Sequence, residues 1–336
     1  MGALTRTRVM VTGTGQLGVG EGIVQCLDMA PANYSVVAAN SNFHSASLFS
    51  SDVGLVLPGA HETSYLGRVL QACADYGVEF LVPGSEPELR ILLSHADELR
   101  RLGCILLANE ASVVAVGDDK MRSCHFLESR GIPTPRSSAD LTRESAEQLG
   151  YPLILKPYLG GGSKNVFTIS SPEELDLVCE LMAIKGVSVF IQEYVGSPEG
   201  EYTASALMSP GGTLIGSFAA RRTLAGGASG TVIVEDFPEV RRVAEEVAIA
   251  LNATGPINIQ ARSHKGRICV FEINPRFSGS APFRAMCGFN EPHLAIQAAL
   301  GKPTDYLTRV GVLGIRCFRQ VLIPENRVFE LPGVSP

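Results

Sequence analysis

Polar residues near the ends of two neighbouring strand-like segments are of the types that bind a hard metal ion. One segment carries Gln260, and the next carries Glu272 and Asn274, with Arg276 just beyond. Because Glu272 and Asn274 are two positions apart, strand alternation points both side chains to the same sheet face. Carboxylate and amide oxygens are the ligands that Mg²⁺ prefers, completed by substrate phosphates and water. The pattern therefore predicts a Mg²⁺ site, with Mn²⁺ as the alternative ion, at Gln260, Glu272 and Asn274.

Further charged residues lie at strand ends and are candidates for contact with substrate. Arg276 would grip a phosphate or a developing acyl-phosphate oxygen. Ser85 and Glu86 follow a short apolar segment, where they would either hold an ammonium group or cap a loop. For Glu272 alone, a structural carboxylate that caps a turn is the alternative.

A lysine and a run of glycines lie between two strand-like segments. The sequence from Lys156 continues through Gly160, Gly161 and Gly162 to Ser163. Glycines let consecutive backbone N–H groups face one anion, and the serine adds a hydroxyl. Lys156 would reach the phosphates of a nucleotide as a point charge. The order of residues is not that of a Walker A loop, and a flexible surface hairpin is the alternative.

A second glycine motif, Gly13-Thr-Gly-Gln-Leu-Gly18, follows the first strand and precedes a helix. This position is typical of a pyrophosphate-binding turn. A dinucleotide site would also need an acidic residue about twenty positions further on. That place holds Ala39-Asn40-Ser41-Asn42. A tight strand–helix turn is therefore favoured over NAD binding.

The composition indicates which classes of protein to exclude. The chain has 336 residues, a net charge of −6 and 45% hydrophobic residues. The acidic balance argues against a nucleic-acid or membrane-surface protein. The N-terminus lacks the apolar core of a secretory signal. The eight cysteines are scattered without a CxxC pair, which is typical of reduced core residues in a cytoplasmic protein.

The elements that must position these residues change character along the chain. The first hundred residues alternate between strand-like and helix-like segments, which predicts a parallel sheet covered on both faces. After residue 118 we expect a helix at Asp119–Arg130 and a hairpin of Tyr151–Lys156 with Val166–Ile169 around the glycine loop. We expect a helix at Pro172–Ile184, then a strand at Thr213–Phe218 and a second glycine-rich loop at Gly226–Gly230.

Taken together, these motifs resemble the ATP-grasp superfamily, in the branch of carbamoyl-phosphate synthase and biotin carboxylase. The resemblance rests on DK…GIPTP, LILKPYLGGGSKNV, QEYV, GEYTASAL and EINPR in that order. It implies an α/β fold, with a Rossmann-like pre-ATP-grasp domain at residues 1–113. A linker helix and ATP-grasp lid, an α+β lobe, would follow at 114–195. The C-lobe at 196–336, built on an antiparallel sheet, would hold the metal and acceptor sites.

The resemblance also implies roles for individual residues. Nucleotide binding falls to Lys120, Lys156, the glycine loop at Gly161, Gly162 and Ser163, the hinge at Glu193, Tyr194 and Val195, and Glu201 on the ribose hydroxyls. Catalytic contacts fall to Arg276, Arg221 and Lys156. The acceptor substrate would meet Ser85, Glu86, Arg222, Ser278 and Gly279, with two adjacent arginines in a solvated turn as the alternative for Arg221 and Arg222.

The implied activity is that of an ATP-dependent carboxylate–amine ligase, which activates a small carboxylate, by default an amino acid, as an acyl phosphate and forms an amide. The sequence departs from the pattern of this family in two respects. Its 336 residues hold one synthetase unit rather than two. No glutaminase or biotin-attachment segment is evident. The implied partners are a small carboxylate and an amine, with no nucleic acid or membrane. A homodimer formed through the first domain is common among members of the family. A nicotinamide-dependent oxidoreductase, a non-catalytic ATP sensor, and ATP-grasp kinases or carboxylases remain as alternatives.

Overall fold

The first third of the chain forms a parallel sheet with helices on both faces. The computed structural model describes residues 6–16, 18–196, 200–317 and 320–333. Leu17 of the first glycine motif lies outside these ranges. So do the outermost residues of the first and last predicted domains. The elements are β1 (Thr7–Val11), α1 (Val19–Asp28), β2 (Tyr34–Asn40), α2 (Ser47–Ser50), β3 (Val53–Val56), α3 (Tyr65–Asp75), β4 (Phe80–Val82), α4 (Glu86–Ser94), α5 (Ala96–Arg101) and β5 (Ile105–Leu106). The strand order β3-β2-β1-β4-β5 is parallel throughout. Buried apolar runs such as Val9–Val11 suit strands covered on both faces.

Two helices lead into a smaller antiparallel sheet. The elements are α6 (Ala111–Asp118), α7 (Lys120–Ser129), β6 (Ser137–Ser138), α8 (Arg143–Leu149), β7 (Leu153–Pro157), β8 (Phe167–Ile169), α9 (Pro172–Ile184) and β9 (Val189–Glu193). The strands lie in the order β6-β9-β7-β8. β7 and β8 pair antiparallel around the glycine loop, which confirms the predicted hairpin. We call residues 137–193 the lid.

The last third is built on a six-stranded antiparallel sheet. The elements are β10 (Glu201–Met208), β11 (Leu214–Ala225), β12 (Ala228–Val234), α10 (Pro238–Ala250), β13 (Pro256–His264), β14 (Arg267–Asn274), α11 (Ala281–Met286), α12 (Glu291–Ala299), β15 (Val312–Ile315) and α13 (Glu325–Phe329). The order is β14-β13-β10-β11-β12-β15. The register sets Gln260 directly opposite Glu272. The α/β class, with a parallel-sheet domain before antiparallel sheets, is confirmed.

One predicted loop is wrong. The sequence favoured a glycine-rich loop at Gly226–Gly230, whereas only Gly226 and Gly227 form the turn between β11 and β12. Ala225 pairs with Ala228 across it, and the two glycines have φ of +58° and +79°. A two-residue hairpin turn of this kind needs positive φ at both positions, which glycine adopts without steric cost.

The parallel-sheet domain and the last sheet share one hydrophobic core. Val11 and Val36 belong to the same buried cluster as Leu207 and Phe218. The lid has a separate cluster, which includes Leu155. Along the described parts of the chain, no helix is both long and apolar enough to cross a membrane.

Candidate functional site

A cavity of about 320 Å³ lies between the lid and the face of the large sheet. Its walls come from β7, the glycine loop, the end of β9, and β10, β11, β13 and β14. A second cavity of about 180 Å³ adjoins it and shares Lys120, Gly160 and Glu272. The two cavities together reach from the lid to the carboxyl edge of the parallel sheet, at α4.

Two lysines reach the larger cavity from different elements. Lys156, on β7, is 5% exposed, and its Nζ donates to the carbonyl of Phe271 at 3.0 Å. Lys120 opens α7 and donates to the carbonyl of Gly160. Burial lowers the pKa of Lys156 to about 8, and the charge of Lys120 acts in the same direction. Lys120 and Lys156 therefore give this side of the cavity a positive charge that favours the binding of an anion.

The predicted metal ligands meet on two adjacent strands. Gln260 is buried, and its Oε1 has no hydrogen-bond partner among the described residues. Glu272 lies opposite it and approaches the Nζ of Lys120 at 4.0 Å. Asn274 follows on the same strand and lines the second cavity. An orphaned amide oxygen beside a carboxylate fits a hard divalent cation such as Mg²⁺.

The glycine loop between β7 and β8 is exposed and has an irregular backbone. Gly160 and Gly162 have φ of +100° and +68°, and Ser163 has the uncommon value of +57°. Gly161 and Ser163 line the larger cavity. The turn at Gly227 touches this loop, because a Cβ added there would lie 2.5 Å from the carbonyl oxygen of Gly162.

The predicted hinge forms one end of the larger cavity, where Glu193, Tyr194 and Val195 all line the wall. The carboxylate of Glu193 is engaged elsewhere, since it accepts from the Nε of Arg136 at 3.2 Å. What the hinge offers to the cavity is therefore backbone rather than the acidic side chain. Backbone N–H and C=O groups suit the edge of a flat heterocycle.

Glu201 lies beside the hinge and is held by two arginines. Its Oε1 accepts from Arg222 at 2.6 Å and 2.9 Å, and its Oε2 accepts from Arg262 at 3.1 Å. Arg222, expected at the acceptor, thus lines the larger cavity. Arg262 was not predicted from the sequence, although its position two residues after Gln260 gives it the same strand face.

Arg221 does not join the site that was predicted for it. It precedes Arg222 on β11, so strand alternation directs it to the opposite face. Among the described residues, neither cavity has Arg221 in its wall. The Cδ of Arg221 instead lies near Gly200.

Arg276 bridges the second cavity to the parallel-sheet domain. Its Nε and one Nη donate to Oε1 of Glu86 at 2.8 Å and 2.5 Å. The same Nη donates to the side chain of Asn274 at 3.1 Å. Burial raises the pKa of Glu86, but Arg276, the backbone N–H and Arg90 together outweigh it and hold that pKa below its usual range. Glu86 is therefore an ionised partner of Arg276.

The remaining predicted substrate contacts are engaged with neighbouring groups. Ser85 donates to Glu88 at 2.7 Å. Ser278 accepts from the backbone N–H of Ser280 at 3.1 Å, and the carbonyl of Gly279 accepts from Arg316 at 2.8 Å. Across the described chain, Ser85, Ser278 and Gly279 do not appear in the walls of either cavity.

Comparison with known proteins finds family models that match two separate parts of the chain. The family model "ATP-grasp in the biosynthetic pathway with Ter operon" matches residues 187–316. The model "PylC-like, N-terminal domain" matches residues 9–107. The chain carries an ATP-grasp domain behind a PylC-like N-terminal domain, so the resemblance to the ATP-grasp superfamily is confirmed.

Individual relatives agree with this assignment. The carbamoyl phosphate synthase large chain of Methanocorpusculum labreanum is 24% identical over 98% of this chain and 33% of its own length. The chain thus spans about a third of that relative's length. The biotin carboxylase domain dimer of Hydrogenobacter thermophilus 2-oxoglutarate carboxylase, solved with MgADP, ADP and bicarbonate, has a TM-score of 0.68 at 18% identity, covering 93% of this chain and 74% of that one.

A third similar protein is carboxyaminoimidazole ribonucleotide synthase from Aspergillus clavatus, solved with ATP. It has a TM-score of 0.70 at 16% identity, covering 89% of this chain and 78% of that chain. At these identities, the likeness to the two solved structures concerns the fold.

Proposed function

We propose that this chain is an ATP-dependent ligase that activates a small carboxylate as an acyl phosphate and forms a carbon–nitrogen bond. The observation that carries the proposal is the meeting of Lys120, Lys156 and Glu272 at one cavity, with Gln260 directly opposite Glu272 on the neighbouring strand. Two cations and an oxygen-rich corner match the charge of a nucleotide triphosphate with its metal. We further propose the three-part division at residues 113 and 195, a cytoplasmic location and a homodimer.

The proposed reaction proceeds in two steps. The γ-phosphoryl group of ATP passes to an oxygen of the substrate carboxylate, which gives an acyl phosphate and ADP. The amine then attacks the acyl carbon, and phosphate leaves to give an amide. Both steps depend chiefly on positioning and on charge neutralisation, which accounts for the absence of a nucleophile from the proposed catalytic set.

Each proposed group contributes through its position. Lys156 and Lys120 hold the phosphates, and the glycine loop closes over them to exclude water. A Mg²⁺ ion held by Gln260, Glu272 and Asn274 would supply further neutralisation of phosphate charge. Arg276, fixed by Glu86 in the adjoining cavity, faces the place where the acceptor carboxylate would receive the phosphoryl group.

The structure gives an argument against the oxidoreductase alternative. The turn after β1 lies against Glu88, since a Cβ added to Gly13 would lie 2.4 Å from a carboxylate oxygen of Glu88. Glu88 is buried and accepts from Ser85. The carboxyl group of Glu88 therefore packs against the first glycine of the turn, and in its ionised form it would disfavour an anion at that turn.

The experiment that tests the proposal is product analysis with MgATP, hydroxylamine and a panel of carboxylic acids that includes amino acids. We expect ADP and a hydroxamate that depends on one acid. Bicarbonate belongs in the panel, assayed by ADP release, because a related fold was solved with that anion; ADP with bicarbonate alone would favour a carboxylase. AMP as the product would contradict acyl-phosphate chemistry.

Two variants complete the test. Glu272→Gln keeps the shape of the side chain but removes its charge, and we expect at least a hundredfold lower turnover (~3 kcal/mol) because the metal loses its carboxylate. Glu180→Gln, an exposed change on α9, is the control and should leave turnover unchanged. Equal turnover of both variants at saturating Mg²⁺ would refute the metal assignment.

A further inference from the structure

Arg262 is a charged residue of the larger cavity with two separate acceptors. One Nη donates to the backbone carbonyl of Val195 at 3.1 Å, and the other donates to Oε2 of Glu201 at 3.1 Å. The guanidinium carbon lies 5.7 Å from the centre of the Phe271 ring. Two acceptors and one ring face therefore hold its planar guanidinium, a geometry that suits the arginine fork better than a lysine ammonium group.

The two acceptors lie at opposite ends of one chain connection. Val195 follows β9, the last strand of the lid, and Glu201 begins β10 of the large sheet. This connection is where the chain passes from the lid to the large sheet. Arg262 lies on β13, which is a different strand from β9 and β10. It therefore holds both ends of the connection between the lid and the large sheet.

Glu201 depends on two arginines with different surroundings. Arg222 binds Oε1 and reaches Ser229 at 3.2 Å, so it ties the carboxylate to the β11–β12 hairpin. Arg262 binds Oε2 and ties the carboxylate to the hinge backbone. Of these two arginines, Arg262 is the one that connects Glu201 to the segment expected to meet the base.

We propose that Arg262 is a positioning residue that fixes the hinge backbone and Glu201 for nucleotide binding and so contributes to the choice of base. This inference rests on the proposed function. A fixed hinge presents its N–H and C=O groups in one arrangement. That arrangement distinguishes the amino group of adenine from the carbonyl of guanine, because a buried polar group left without its partner is costly.

The test compares nucleotide binding by Arg262→Leu, Arg262→Lys and the unchanged protein, measured calorimetrically with MgATP and with MgGTP. The leucine variant removes both donors but keeps an apolar contact with Phe271, and we expect about tenfold weaker ATP binding. The lysine variant retains one contact, and we expect about threefold weaker binding. In both, the ratio of GTP to ATP dissociation constants should fall.

The control is Arg242→Leu, an exposed position on α10 whose side chain is 69% exposed, and it should bind both nucleotides as the unchanged protein does. A general loss of structure would weaken ATP and GTP by the same factor and lower the melting temperature, and that result would overturn the inference. Unaltered ATP binding in both Arg262 variants would also overturn it. If the leucine variant does not fold, the lysine variant decides between these outcomes. Failure of the unchanged protein to bind any adenine nucleotide would instead refute the proposed function, and with it this inference.

Discussion

At the scale of single residues, Lys156 has the most altered environment in the cavity. Its ammonium group is buried beside the Phe190 ring, 5.3 Å from the ring centre, with Lys120 as a second positive charge nearby. Burial is the main cause that lowers its pKa to about 8 from the ordinary 10.5. A phosphate would restore the charge that burial disfavours, because an anion near an ammonium group favours its protonated form.

This environment predicts opposite pH dependences for nucleotide binding and for stability. Above about pH 8 the free protein loses the Lys156 proton, so MgATP affinity should fall by up to about tenfold per pH unit. The pKa of Lys156 is lower in the folded state than in the unfolded state. Burial of the charged side chain therefore lowers the free energy of unfolding below pH 8, and this loss disappears as the pH rises towards 10.5. Calorimetric titrations at pH 7, 8 and 9 measure the first effect. Lys156→Met should bind weakly at every pH, and an equally steep decline in that variant would exclude Lys156 as the cause.

The ion pair between Glu86 and Arg276 gives a second prediction at this scale. Glu86→Gln leaves Arg276 with a neutral partner in a half-buried site, so its guanidinium should be less well positioned. We expect about tenfold lower turnover with an unchanged ATP dissociation constant, since Arg276 lies outside the larger cavity. Steady-state kinetics beside direct ATP binding separates the two quantities. A rise in the ATP dissociation constant with unchanged turnover would contradict this role.

Residue types and spacing indicated some of these positions but not their partners. Glu272 and Asn274 could be placed on one face because strand alternation is a local property of the chain. The ion pair of Glu86 with Arg276 joins positions 190 residues apart. Such a contact depends on how two domains pack, and no local pattern records it. The two arginines at Glu201 lie on β11 and β13, so their meeting depends on strand pairing within the large sheet, which the local sequence does not show.

At the scale of elements, the β11–β12 hairpin turn rests on the glycine loop of the lid. Gly226 and Gly227 both have positive φ, but only Gly227 approaches Gly162. Alanine at either position should cost about 1 kcal/mol of stability, because both backbones are left-handed. Gly227→Ala should in addition push the glycine loop away and weaken MgATP binding several-fold.

Gly226→Ala is the matched control, since an added Cβ there meets nothing within 4 Å. Chemical denaturation measures the shared loss of stability, and limited proteolysis within residues 159–166 measures the position of the loop. MgATP should slow this cleavage in the unchanged protein and less so in Gly227→Ala. Identical cleavage of the two variants would show that the contact with Gly162 does not restrain the loop.

Helices and strands whose ends are marked by capping residues or proline were predicted well, whereas a strand that begins with small residues was missed. The helix Pro172–Ile184 has the predicted bounds, because Ser171 caps it by accepting from Glu174 and proline occupies its first turn. The strand β12 was missed because its first residues, Ala228 to Gly230, are small and read as a loop. Its pairing with β11 and β15 stabilises it, and that pairing is not visible in the local sequence.

At the scale of the whole molecule, the buried clusters divide the chain into units of unequal size. The parallel-sheet domain and the large sheet share a cluster that includes Val11 and Phe289. Asn109 joins them as well, since its buried amide donates to the carbonyls of Pro256 and Pro275 at 2.8 Å and 3.2 Å. The lid has its own small cluster, which includes Leu155 and Leu175. The lid should therefore be able to open without disrupting the rest.

Hydrogen exchange should resolve this division. We expect amides of β7 and β9 to exchange through an opening that costs at least ~2 kcal/mol less than the opening of β1 or β10, because a small core stabilises less than a large shared one. MgATP should raise the protection of β7 and β9 more than that of β1, since the nucleotide would contact both the lid and the large sheet. Lys156→Met supplies the control, because its weaker binding should remove most of the added protection at the same nucleotide concentration. Uniform protection of all four strands, with and without MgATP, would mean that the lid unfolds only together with the whole chain, and the glycine loop would then have to close by a local movement alone.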